Sequence, residues 1–280
     1  MSILKVRIKT IVLILLSVFT AATFCSCSEE KPPLEASVVR FFENFDKDAY
    51  RIGSEDFIYS VKANPDVFII DLREAEDYEA EHISYARNIP WGMDLWAFID
   101  RVPQSRPILV YSYNKEESFM ATALLALAGY SVKGVDAGWE EIALLESAKP
   151  MMTKGRERFH QVPPPDISEE VRLAIKRFFE EMDLLKDSMM DRYTVYPEDA
   201  LFMYENKEED KIFLCIDSEN ADPPPYFEQS ILIPFGPGMH LQFENLPPLF
   251  LLVYGSDPLE ASFAVVWLRF FGYYGVLIQS

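Results

Sequence analysis

From Pro107 to Tyr130 the chain reads PILVYSYNKEESFMATALLALAGY. Residues 108–111 form a short apolar run with β-branched and aromatic character, which predicts a strand. Residues 119–128 are apolar over the length of a helix. Gly129 follows, where a helix end favours a residue that tolerates left-handed backbone. Between them the pattern predicts a six-residue loop: Ser112, Tyr113, Asn114, Lys115, Glu116 and Glu117. A loop from a strand end into a helix N-terminus gathers backbone N–H groups and the positive end of a helix dipole. There α/β proteins hold nucleophiles and anions.

The flanking sequence extends this unit. Upstream stand Phe68-Ile69-Ile70-Asp71-Leu72-Arg73, Asp77-Tyr78, His82-Ile83, Ala86 and Asn88-Ile89-Pro90. Downstream, Val132 precedes Ala137-Gly138-Trp139. This order resembles the rhodanese family. Its domains carry Asp-x-Arg, Gly-His-Ile-x-Gly-Ala, Asn-Ile-Pro, a Cys-headed loop and Gly-Gly-Trp in the same sequence. The resemblance spans roughly eighty residues, long enough for order and spacing to be specific. It implies an α/β fold with a mainly parallel sheet flanked by helices, and sulfur transfer at the loop. It also implies structural roles for Asp71, Arg73, His82, Gly138 and Trp139. The departures are Glu81, Tyr85 and Ala137 at glycine positions, and Ser112 at the catalytic cysteine.

The unit occurs twice. Arg40-Phe41-Phe42-Glu43 recurs as Arg177-Phe178-Phe179-Glu180, and Tyr50 with Glu55-Asp56 recurs as Tyr193 with Glu198-Asp199. Tyr111 and Gly129-Tyr130 recur 143 residues on as Tyr254 and Gly272-Tyr273. Repetition in the same order implies a duplicated domain, and tandem rhodanese-like domains are familiar in that family. The expected division is a first domain over 34–149, a linker over 150–166 and a more degenerate second domain over 167–280. In the second copy Glu219 replaces Arg73, Pro223-Pro224-Pro225 interrupts the pattern, and the loop is Gly255-Ser256-Asp257-Pro258-Leu259-Glu260. His160 falls in the linker, where an idle, exposed side chain is expected.

Sulfur transfer needs a thiolate that stores sulfur as a persulfide, and a cradle of N–H groups lowers a cysteine pKa for that purpose. Neither loop holds a thiol, since Ser112 and Gly255 occupy the two positions. Serine attacks only when a base lies within hydrogen-bond reach, and by motif the one candidate is His82. Glu116 and Glu117 disfavour an anionic substrate. Trp91, Trp96 and Trp139 either line a cleft or, as the default for aromatics, pack in the core or between domains.

The chain has 280 residues and a formal charge of −19, which sets nucleic-acid binding aside. Cys215 lies in an apolar run and reads as a core residue. No disulfide framework, metal site or cofactor is implied. Lys5, Arg7 and Lys9 precede the apolar residues 11–24, followed by Cys25-Ser26-Cys27. This resembles a bacterial lipoprotein signal over 1–26, with Cys27 lipidated and residues 27–33 as a tether. Ordinary cleavage and an uncleaved anchor stay open as alternatives. The expected protein is lipid-anchored in the bacterial cell envelope, at the outer membrane or cell surface. It is expected to be inactive in sulfur transfer and to bind an envelope protein or a ligand. The alternative is a divergent enzyme that uses the Ser112 loop or the interdomain cleft.

Overall fold

The computed structural model describes residues 33–157, 162–163, 165–217 and 227–280. The signal segment with Cys27, His160, Glu219 and the prolines at 223–225 lie outside the described residues. Residues up to Ala36 form one unit, of which 33–36 are described, and Ser37–Ser280 form a second. No helix among the described residues is long and apolar enough to cross a membrane.

Helices α1 (Pro33–Glu43) and α2 (Lys47–Tyr50) lead into β1 (Arg51–Ile52). Then come α3 (Ser54–Ala63), β2 (Phe68–Asp71), α4 (Ala75–Ala80), β3 (His82–Ile83), β4 (Ala86–Asn88) and α5 (Met93–Phe98). Next are β5 (Ile108–Tyr111), α6 (Lys115–Leu127), β6 (Val132–Val135), α7 (Trp139–Leu144) and β7 (Met152–Thr153). The second half holds α8 (Glu169–Asp183), β8 (Thr194–Val195), α9 (Pro197–Glu205), β9 (Lys211–Ile216) and β10 (Ile231–Ile233). It ends with β11 (Phe250–Tyr254), α10 (Pro258–Phe270) and β12 (Tyr274–Ile278).

Two five-stranded parallel sheets result, ordered β1-β6-β5-β2-β4 and β8-β12-β11-β9-β10. Counting only the strands that belong to it, each sheet runs first, fifth, fourth, second, third. The shared order is the duplication expressed in three dimensions. Every residue of β2 and β5 is buried, as strands covered on both faces by helices must be. This is the tandem α/β architecture that the motifs imply.

Two expectations need correction. The six-residue loop is only three residues long, Ser112 to Asn114, because α6 begins at Lys115. The Asn114 side chain accepts the Glu117 N–H at 2.9 Å and caps the helix. Glu116 and Glu117 therefore belong to the first turn, where their charge suits the helix dipole. Asp257 caps α10 in the same way, accepting the Leu259 N–H at 3.0 Å. The segment read as linker is also bound into the first half at its start. There β7 pairs antiparallel with β3, and the Gly155 N–H reaches the Glu79 carbonyl at 3.0 Å.

Tyr85 stands at a glycine position of the motif and keeps the left-handed backbone, with φ 69°, while its ring is 66% exposed. A side chain in that region costs roughly 1–2 kcal/mol, partly offset by the extra freedom glycine brings to the unfolded chain. Tyr85→Gly should therefore raise stability by about 0.5–1 kcal/mol, read from the denaturation midpoint. A lowered midpoint would show that the exposed ring stabilises more than the backbone strain costs.

Candidate functional site

Ser112 follows β5 directly and is fully buried. Its hydroxyl donates to Glu117 Oε2, and its carbonyl accepts the Trp139 N–H at 2.9 Å. Gly138 packs on the same loop so closely that a Cβ there would collide with the Tyr113 carbonyl. The Tyr113 hydroxyl donates to Asp77 and accepts the Glu74 N–H at 3.1 Å. Burial first, then the bond to Asp77, pushes the Tyr113 pKa up to about 12.

The two carboxylates that sequence reasoning set against an anionic substrate are not free. Both are buried. Glu117 is gripped by Arg192 of the second half, with Nε to Oε1 at 2.6 Å and Nη2 to Oε2 at 3.1 Å. The Nη1 of Arg192 reaches Glu74 at 3.0 Å. Burial works against the Arg192 charge, but its bonds to Glu117 and Glu74 outweigh burial and raise its pKa. Glu116 Oε1 accepts the N–H and hydroxyl of Ser280, at 2.9 and 2.8 Å. Beside this cluster lies a cavity of about 340 Å³, lined by Tyr113, Asn114, Glu117, Arg192, Tyr196 and Asp199 among others. Two cavities of about 420 Å³ lie elsewhere, one against Met203, Lys211 and Phe213, the other against Val61, Val67 and Tyr85.

The remaining motif residues go to structural places. Asp71 and Arg73 form a buried ion pair, with Nη2 to Oδ2 at 2.7 Å. The guanidinium also reaches the Glu81 carbonyl at 2.8 Å and sits 3.7 Å over the Trp139 ring. Trp139 thus packs on Arg73 and on Tyr111, and Trp91 packs on Phe178 and Phe179 of the second half. His82 is buried and stacked on Tyr78, with Nδ1 2.7 Å from the Tyr78 carbonyl. Burial lowers its pKa. The partner of the Ser112 hydroxyl is Glu117, so Ser112 and His82 do not form a nucleophile–base pair.

In the second loop a Cβ on Gly255 would collide with the Ile216 carbonyl. The Ser256 hydroxyl donates to Asp217 at 2.5 Å, and Asp257 pairs with Arg51. Cys215 is buried in β9, and burial pushes its thiol pKa up. Among the described residues no cluster of His, Cys, Asp or Glu could hold a metal ion. Sequence reasoning missed Arg192 and Ser280. Nothing local marks either residue, because Arg192 meets its partner across 75 residues and Ser280 across 164.

Residues 57–144 match the Rhodanese-like domain family. That match runs from α3 to α7 and contains the Ser112 loop. No curated protein matches the chain. Among solved structures the chain is similar to a protein of Bacillus halodurans, with 24% identity, TM-score 0.32, and coverage of 39% of this chain and 80% of that one. A rhodanese-like domain protein from Staphylococcus aureus gives 17% identity, TM-score 0.31, and coverage of 40% and 97%. A thiosulfate sulfurtransferase from Pseudomonas aeruginosa gives 16% identity and TM-score 0.34, over 88% of this chain and 46% of that one.

Removing one partner of a buried pair strands the other charge, at a cost of roughly 3–5 kcal/mol. Arg192 is 23% exposed and Glu117 only 2%, so Arg192→Met should cost about 2–3 kcal/mol by chemical denaturation. Adding Glu117→Gln should return more than half of that loss. A second check concerns acid. Burial lowers the folded-state pKa of His82, so the unfolded chain takes up its proton first. The stability His82 contributes is present above roughly pH 6.5 and is lost as pH falls through its lower folded-state value. In His82→Phe the stability curve should be flatter over that window.

Proposed function

We propose that this is a rhodanese-like protein without sulfurtransferase activity, whose work is to bind an envelope protein or a ligand. One observation carries the reading. The nucleophile position is a fully buried serine, whose hydroxyl is committed to a carboxylate that Arg192 already holds. A hydroxyl cannot store sulfur as a persulfide. Glu117 is a poor general base, because the Arg192 pair draws on the same lone pairs that would take the proton. Cys215 supplies no substitute, since it lies inside a strand and its thiol is shifted away from ionisation.

The proposal extends to organisation and place. The halves act as two domains, over 34–149 and 167–280, and the folded body is tethered at the cell envelope through lipid on Cys27. Support for the anchor is the basic stretch, the apolar run and the Ser26-Cys27 pair.

Thiosulfate-to-cyanide sulfur transfer should be at background for the wild type. It should stay there in Ser112→Cys, because the new thiol would face the Glu117 carboxylate. Wild-type turnover that disappears in Ser112→Ala would overturn the reading. Separately, radiolabelled palmitate should enter the wild type and not Cys27→Ala, and the variant should leave the membrane fraction. Retention of Cys27→Ala with no label in the wild type would remove the lipid anchor.

A further inference from the structure

We infer that the cavity lined by Tyr113, Arg192, Tyr196 and Asp199 receives a basic side chain, lysine or arginine, from a partner protein. This rests on the binding role proposed above and names the chemistry of the partner.

The first argument is charge. Arg192 is the cation that lines this cavity, and its three guanidinium nitrogens are spent on Glu117 and Glu74. Asp191 and Asp199 also line it, and among the described residues no cation pairs with either carboxylate. Once Glu117 is cancelled by Arg192, the cavity keeps a net negative charge, within a chain of charge −19. Such a field repels thiosulfate-like anions and attracts a cation.

The second argument is the wall. Tyr113, Met189 and Tyr196 line the cavity, yet are 37%, 50% and 58% exposed. Phe202, 56% exposed, lies three residues beyond Asp199 on α9 and shares its face. Tyrosine faces hold a cation and the aliphatic stem that carries it. At about 340 Å³ the cavity is at the small end of ligand sites, which run from roughly 300 to 1,000 Å³. One long side chain suits that size. Met189 and Tyr196, exposed in the cavity lining, offer apolar surface for a partner to cover, and Phe202 extends it along α9. A partner protein brings such a surface, with aromatic and methionine residues at the contact and the charge pair at its centre. A free amine leaves them wet.

The test uses the detergent-solubilised full chain, titrated with three probes and followed by calorimetry. The probes are acetyl-Leu-Lys-Leu-amide, its norleucine counterpart and cadaverine. The lysine peptide should bind at least tenfold more tightly than either other probe. Asp191→Asn/Asp199→Asn should lose that advantage. Asp56→Asn/Glu170→Gln, which removes two exposed charges outside the cavity lining, should keep it. Equal binding of the lysine and norleucine peptides would overturn the inference, as would an unchanged double Asp variant or cadaverine matching the lysine peptide. Sulfur transfer measured on the same preparation separates the two proposals. No transfer and no lysine preference sinks only this inference. Transfer with lysine preference sinks only the inactive reading.

Discussion

A carboxylate cannot be left alone inside a protein, and Glu117 is almost fully buried. Much of the arrangement around Ser112 follows from satisfying it. Arg192 must come across from the second half, Ser112 must supply a hydroxyl, and Asn114 must hold the first turn of α6 so that the carboxylate points at both. The second half meets a similar demand from the other direction. Asp257, the cap of α10, takes Arg51 from the first half. Each half thus sends an arginine to the N-terminal turn of the other's central helix. These two helices, α6 and α10, pack on each other and are buried along most of their length.

The aromatic repeat seen in the sequence has the same reciprocal logic. Phe42 of the first half packs on Phe235 of the second at 5.3 Å, while Phe179 of the second packs on Trp91 of the first at 5.0 Å. Phe235 and Trp91 each follow the proline after an edge strand, so they are equivalent positions in the two sheets. Edge-to-face pairs of this kind add roughly 0.5–1.5 kcal/mol each beyond the area they bury. The Arg-Phe-Phe-Glu motif is therefore best understood as a swapped contact. Each copy helps to fasten its own half to the other.

The parts legible in the sequence were those carried by short-range signals. Short apolar runs such as 68–70 and 108–111 announce covered parallel strands, and a repeat 143 residues long announces two halves. The loop length is hidden in the sequence for a physical reason. Apolar periodicity begins at Phe119, but α6 is begun four residues earlier by a polar cap and a charged first turn. The ion pair that defines the site was invisible, because Arg192 looks like any arginine in a turn until the fold closes across 75 residues. Glu116 and Glu117 were readable as acidic but not as buried, and burial reverses their meaning. They act as anchors for Ser280 and Arg192 rather than as a fence against anions.

Ser112, Glu117 and Arg192 are best regarded as one matched set. The serine hydroxyl donates to Glu117, which in turn balances Arg192. Exchange the hydroxyl for a thiolate and the set fails, since two anions would share a buried contact with one guanidinium between them. Remove Glu117 instead and Arg192 loses its strongest partner and keeps only the exposed Glu74. A thiolate site at this helix end would need the first-turn carboxylate to be absent. The residue at position 112 and the residue at position 117 therefore constrain each other, and serine suits the position because its neutral hydroxyl donates to the carboxylate. The serine hydroxyl, the buried carboxylate and the contact between the two halves are then parts of a single electrostatic arrangement.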